Sequence, residues 1–264
     1  IAIGWPGEWS CEYKGTKAGV SFKAGQQVVH TYLNPGETLR TPRITLMAFV
    51  GDAVRGINLW RRWYNAHILP RQYGQPLVGK SICMEPGGGV EFTEATEENQ
   101  LRGLDNISKC GVDCNLWWID AGWYPCYVSP DKKEWPQTGT WEADRSRFPS
   151  GLAPVGKKCA ELGIDLLLWC EPERVREGTW LSERHPEWLL KSDEPSRNLM
   201  LNLGDPQCYA WLCQHFDALI KEYGVKCYRQ DFNFSPLAYW RDNETDDRQG
   251  MVENLYIQGF LAYW

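Results

Sequence analysis

Two hydrophobic rhythms run along the chain, and the change falls near residue 77. Before it, "VSFKAGQQVVHTYL" and "RITLMAFV" alternate apolar and polar positions and carry many β-branched residues. With "NPGE" between them, they predict antiparallel strands joined by a turn. In "GDAVRGINLWRRWYNAHILP", Val54, Ile57, Trp60, Tyr64 and Ile68 fall near helical spacing, and Pro70 stops the pattern. This predicts a linking helix between two modules.

From residue 77 onward, short apolar runs alternate with helical patterns. "PLVGKSICME", "DCNLWWID", "IDLLLWCE" and "VKCYRQDF" read as strands. "EATEENQLRGLDNISKCG", "SGLAPVGKKCAELG", "DPQCYAWLCQHFDALIKEYG" and "DRQGMVENLYIQGFLAYW" read as helices. Gly111, Gly163 and Gly224 follow the first three helices, where the chain needs a left-handed residue to stop. The strands are apolar almost throughout, as strands covered on both faces must be. Four βα units in series predict a parallel sheet. A doubly wound sheet and the first half of a (β/α)8 barrel both fit. No GxGxxG follows the first strand, and "EPGGGVEF" is out of register, so a dinucleotide fold loses weight.

Composition narrows the function. The 264 residues carry a net charge of −6, which disfavours nucleic acid or an anionic membrane as the main partner. No apolar run reaches the ~18–20 residues of a membrane span. Fifteen tryptophans offer flat apolar faces with one N–H each, suited to sugar rings as well as to large cores. Ten cysteines stand at 11, 83, 110, 114, 126, 159, 170, 208, 213 and 227, with no CxxC pair. They read as free, buried thiols of a reducing cytoplasm. With four scattered histidines they give no metal-ligand spacing, and no cofactor is expected. The chain lacks an initiator Met and ends on the uncapped apolar run "GFLAYW", which reads as a segment of a longer protein.

The strand ends are acidic: Glu85, Asp120, Glu171 with Glu173, and Asp231. In a parallel barrel, chemistry sits at those ends. Glu85 precedes Pro86 and reads as the start of a loop. Asp120 could cap a turn, but Trp117, Trp118 and Trp123 around it favour an aromatic-walled pocket. Glu171 and Glu173 read as structural, paired with Arg174 and Arg176 or holding loop backbone. Arg229, Asp231 and Asn233 are spaced by two, so on a strand they share a face. A cation beside Asp231 favours its ionised form, the form a glycosidase nucleophile needs. A structural ion pair is the alternative.

Four blocks in order resemble glycoside hydrolase family 36, the microbial α-galactosidases. They are "LNPGETLRTPRITLMAFVGD…GINLWRRWYNAHILP", "WWIDAGWYP", "LLLWCEPERV" and "YRQDFN". The resemblance implies an α/β chain holding the first half of a (β/α)8 TIM-type barrel. The C-terminal part of an antiparallel β-sandwich would precede it. The expected division is 1–52 for the sandwich end, 53–76 for the linker helix and 77–264 for the barrel units. Asp231 matches the nucleophile of a retaining mechanism. Asp120 matches a carboxylate that holds galactose hydroxyls, Trp169 the sugar-platform tryptophan, and Arg197 an arginine near the sugar. Arg229 stands where the family has lysine, and Asn233 matches the asparagine that reaches the 2-position.

Two departures bear on the sugar. Ala121 replaces the second carboxylate of the family's "DDGW" block, which weakens recognition of a hydroxyl. Arg229 exchanges a point charge for a planar fork. The resemblance implies an oligosaccharide or glycoside partner and leaves assembly into a homo-oligomer open. α-N-Acetylgalactosaminidase, α-galactosaminidase and transglycosylase activities share the nucleophile, and a carbohydrate-binding module is the non-catalytic alternative. The family's acid/base aspartate lies after the sixth strand, so the isolated chain is expected to be catalytically incomplete.

Overall fold

The computed structural model describes residues 1–84, 92–129, 132–193, 196 and 198–264; side chains at 92, 128, 129, 132 and 133 are not described. The chain forms two compact units, Ile1–Val28 with Arg40–Gly79, and Val29–Leu39 with Lys80–Trp264.

The first unit contains β1 (Ala2–Gly4), β2 (Trp9–Thr16), β3 (Gly19–Gln26), β4 (Arg43–Thr45), α1 (Ala53–His67), β5 (Arg71–Gln72) and β6 (Gln75–Pro76). β2 and β3 form an eight-pair antiparallel hairpin, and β1 pairs β4 antiparallel. The expected long strand through "RITLMAFV" contracts to three residues. Asp52 caps α1 by accepting from Arg55 N at 2.8 Å, satisfying one of the donors that every helix start leaves unpaired. Trp60 and Trp63 stack along the helix, with ring centroids 5.1 Å apart.

The second unit contains β7 (Ile82–Cys83), α2 (Glu97–Cys110), β8 (Leu116–Ile119), β9 (Tyr127–Ser129), β10 (Lys132–Glu134), α3 (Ala153–Glu161), β11 (Asp165–Cys170), β12 (Arg174–Arg176), α4 (Trp180–Arg184), β13 (Leu189–Leu190), β14 (Asn198–Leu201), α5 (Pro206–Tyr223), β15 (Val225–Gln230), α6 (Leu237–Arg241) and α7 (Met251–Tyr263). β7, β8, β11 and β15 form one parallel sheet whose order follows the chain without reversal. The chain therefore has the α/β fold and the parallel sheet that its rhythm predicts.

The helix boundaries obey local chemistry. Thr96 and Asp205 cap α2 and α5, and Gly111 and Gly224 end them with φ of 65° and 68°. Gly156 on α3 has a different reason. A Cβ there would sit 1.9 Å from the carbonyl oxygen of Tyr223, so the α3–α5 contact requires glycine. The core lies on and around the sheet: Trp117, Ile119, Leu166, Leu168 and Cys170 are almost wholly buried. Each large apolar side chain so buried contributes about 1.5–3 kcal/mol.

Two excursions interrupt the βα rhythm. β9 and β10 pair antiparallel between β8 and α3, and β12, β14 and β13 form an antiparallel sheet between β11 and α5. The "NPGE" turn closes on itself, with Asn34 N donating to Glu37 at 2.7 Å. Glu37 also takes both Arg248 Nη groups at 2.7 and 2.9 Å, tying the turn to the start of α7. None of the ten cysteines is paired.

Candidate active site at the ends of the parallel strands

Asp231 lies one residue beyond β15, not within it. Its backbone N–H still donates to Cys170 O at 2.8 Å, which prolongs the β11–β15 pairing and fixes where the carboxylate starts. Trp169 and Arg229 are register partners on these two strands, so they point to one face. Both meet Asp231 there. The Trp169 indole N–H donates to Asp231 Oδ2 at 3.0 Å. Arg229 Nη2 approaches the same oxygen at 3.6 Å. Phe232 N–H donates to Oδ1 at 2.9 Å, and the nearby Asn233 amide also favours the anion.

These donors hold the Asp231 carboxyl below its ordinary range, the Trp169 hydrogen bond foremost and the Arg229 charge behind it. The proximity of a cation was the reason the sequence offered for an ionised Asp231. The indole is the larger cause. About a third of the Asp231 side chain remains exposed, so the anion is both stabilised and reachable.

Trp169 itself is only 4% exposed. Its ring stacks on Tyr124 at 6.3 Å and meets Trp141 at 6.2 Å, while Trp123 Nε1 donates to its carbonyl oxygen at 2.9 Å. Asp120 follows β8 and accepts from the N–H of Ala121 at 2.7 Å, which is a turn-holding bond. Arg197 and Glu85 lie outside the described residues. Of the six residues singled out in the sequence, Trp169, Arg229, Asp231 and Asn233 come together. Asp120 stands at the end of β8, two strands from β15 in the sheet.

Behind this group lies a buried polar layer. Glu171 is fully buried, pairs with Arg174 through Oε2, and accepts the backbone N–H of Asn233 on Oε1 at 2.7 Å. Burial raises its carboxyl, and Arg174 opposes that rise. Glu173 accepts from Gln230 Nε2, and burial pushes its carboxyl up to about 8. The expected pairing of Glu171 with Arg174 is present. Arg176 instead donates to Asn198 Oδ1 at 3.2 Å. Sequence reading did not find the Glu171 bond to Asn233, because it joins residues 62 positions apart. Trp118 was legible as a pocket aromatic, but its contact with Arg229, whose guanidinium lies 4.6 Å from the ring centroid, was not. Among the described residues, no three His, Cys, Asp or Glu side chains come together to hold a metal.

The family model described as Melibiase matches residues 40–261. The chain belongs to the melibiase family. It is 28% identical over 248 residues to the α-galactosidase of Escherichia coli, covering 88% of this chain and 33% of that protein. It is 26% identical over 233 residues to α-galactosidase 1 of Pediococcus pentosaceus, covering 86% of this chain and 30% of that protein. The chain thus spans about a third of the length of these relatives. Among solved structures, the GH36 α-galactosidase AgaA of Geobacillus stearothermophilus superposes with a TM-score of 0.76 at 18% identity. The match covers 99% of this chain and 36% of AgaA, and it shows a common fold. Variants of AgaA have been solved with stachyose and with raffinose.

Proposed function

We propose that this chain carries the nucleophile of a retaining α-galactosidase-like glycoside hydrolase, and that the nucleophile is Asp231. The observation that carries the reading is the carboxylate itself: ionised, hydrogen-bonded on both oxygens, and a third open to solvent at the end of a parallel strand. An anion so fixed is positioned to attack an anomeric carbon. Asp231 forms the bond to that carbon as the glycosidic C–O bond breaks. A second carboxyl protonates the leaving oxygen, then deprotonates the water that releases the sugar. The family resemblance implies that this acid/base stands on a later strand of the barrel than Asp231.

The unreversed strand order supports the half-barrel reading, because a doubly wound sheet reverses its order at a switch point. The antiparallel pairs of the first unit support the sandwich-end reading of residues 1–52, with 53–76 as linker and 77–264 as barrel. The relatives named as α-galactosidases support a terminal α-galactosyl group as substrate. Asp120 and Arg197 would bind that sugar. The unpaired cysteines support a cytoplasmic location.

An activated fluoro-galactoside incubated with the protein should leave a covalent sugar on the peptide containing Asp231, read by mass spectrometry. Label on another carboxylate, or turnover that survives Asp231→Ala, would remove the assignment.

A further inference from the structure

Trp118 stands on β8 and Arg229 on β15, with β11 between them. Two strand spacings separate their backbones by about 10 Å. The Arg229 side chain crosses β11 to lay its guanidinium over the Trp118 ring, 4.6 Å from the centroid, while Nη2 remains 3.6 Å from Asp231. Hydrogen bonding does not explain this arrangement. Arg229 Nε and Trp118 Nε1 are both buried without a partner among the described residues. What the two side chains share is a flat face. A guanidinium stacks on an aromatic face in a fixed plane, whereas a compact, strongly hydrated ammonium is not oriented that way.

We propose that Trp118 is a positioning residue that acts through Arg229. Its indole face holds the guanidinium plane so that one Nη stays directed at Asp231. The inference deepens the reading of Asp231 as nucleophile and rests on it for its catalytic meaning. It gives the arginine that stands in place of the family's lysine a physical partner in the same site. The pair would act as a unit, so neither residue's effect on Asp231 survives loss of the other. Ionisable groups facing Asp231 include Arg229 on β15 and Glu171 past β11, and Trp118 variants leave both in place.

The test is carbon-detected NMR titration of the Asp231 side-chain carboxyl in the 264-residue chain. Arg229→Met should shift its midpoint upward. Trp118→Leu should shift it in the same direction, and Trp118→Leu in the Arg229→Met background should add nothing further. Trp118→Phe, which keeps an aromatic face, should restore most of the native midpoint. Arg229→Lys tests the idea without touching the tryptophan, on a side chain 41% exposed. It keeps the charge and should still shift the midpoint upward. An unmoved midpoint in Trp118→Leu or Arg229→Lys would overturn the proposal, as would an equal Trp118→Leu shift with and without Arg229. The labelling experiment separates the two claims. Coupling without sugar on Asp231 leaves the pair and removes the nucleophile; sugar on Asp231 without coupling does the reverse.

Discussion

Replacing Trp169 by Phe removes one N–H and little else at Asp231, so it isolates the indole's share of the site. The native bond is 3.0 Å long and ends on an ionised oxygen. A hydrogen bond to a charged group contributes about 1.5–3 kcal/mol. A third of the Asp231 side chain is exposed, so water replaces part of the lost donor and the lower end applies. The narrower ring also loses packing against Tyr124 and Trp141, which would blur a single measurement. A double-mutant cycle removes that term. Urea melts of the native chain, Trp169→Phe, Asp231→Ala and the double variant should give a coupling of about 1–1.5 kcal/mol at neutral pH. The pH matters because the folded carboxyl is depressed. Its stabilisation is fully present above the unfolded-state carboxyl value and is lost as pH falls through the folded one. If the two changes add within about 0.3–0.5 kcal/mol, the indole does not hold the carboxylate and the reasoning fails.

Glu171→Ala leaves Arg174 without its buried counter-charge and Asn233 N–H without its acceptor. It should cost about 3–5 kcal/mol in chemical denaturation, and a loss under about 1 kcal/mol would contradict the assignment. Glu171→Gln, which keeps an acceptor oxygen, should cost less. Glu173 titrates near 8 when folded, above its ordinary 4.5, so the native state keeps a proton that the unfolded chain releases. Native stability should therefore fall as pH rises between those values, and Glu173→Gln should flatten that slope. Parallel pH profiles for the two proteins would show that Glu173 is not buried as a neutral acid.

The sequence by itself determined what neighbours along the chain can decide. The apolar runs at β8, β11 and β15, the caps Asp52, Thr96 and Asp205, and the stops Gly111 and Gly224 are local: a few adjacent side chains and the backbone fix each one. Asp231 was legible because it follows a strand and the residues two before and two after it are polar. The strand reading of 229–233 was too long by three residues. Asp231 pairs through its N–H, but the chain then turns toward Glu171. The excursions of β9 and β10, and of β12, β13 and β14, had no strong period to announce them. The short β12 strand holds only against a distant partner, with Arg174 facing Met200. The registry of β11 with β15 set Trp169 on the same face as Arg229. The same registry brings together an indole, a guanidinium and a carboxylate from positions 118 to 231. Local chemistry chose the elements. Only the closure of β8, β11 and β15 into one parallel sheet set which side chains share a face, and hence what keeps Asp231 charged.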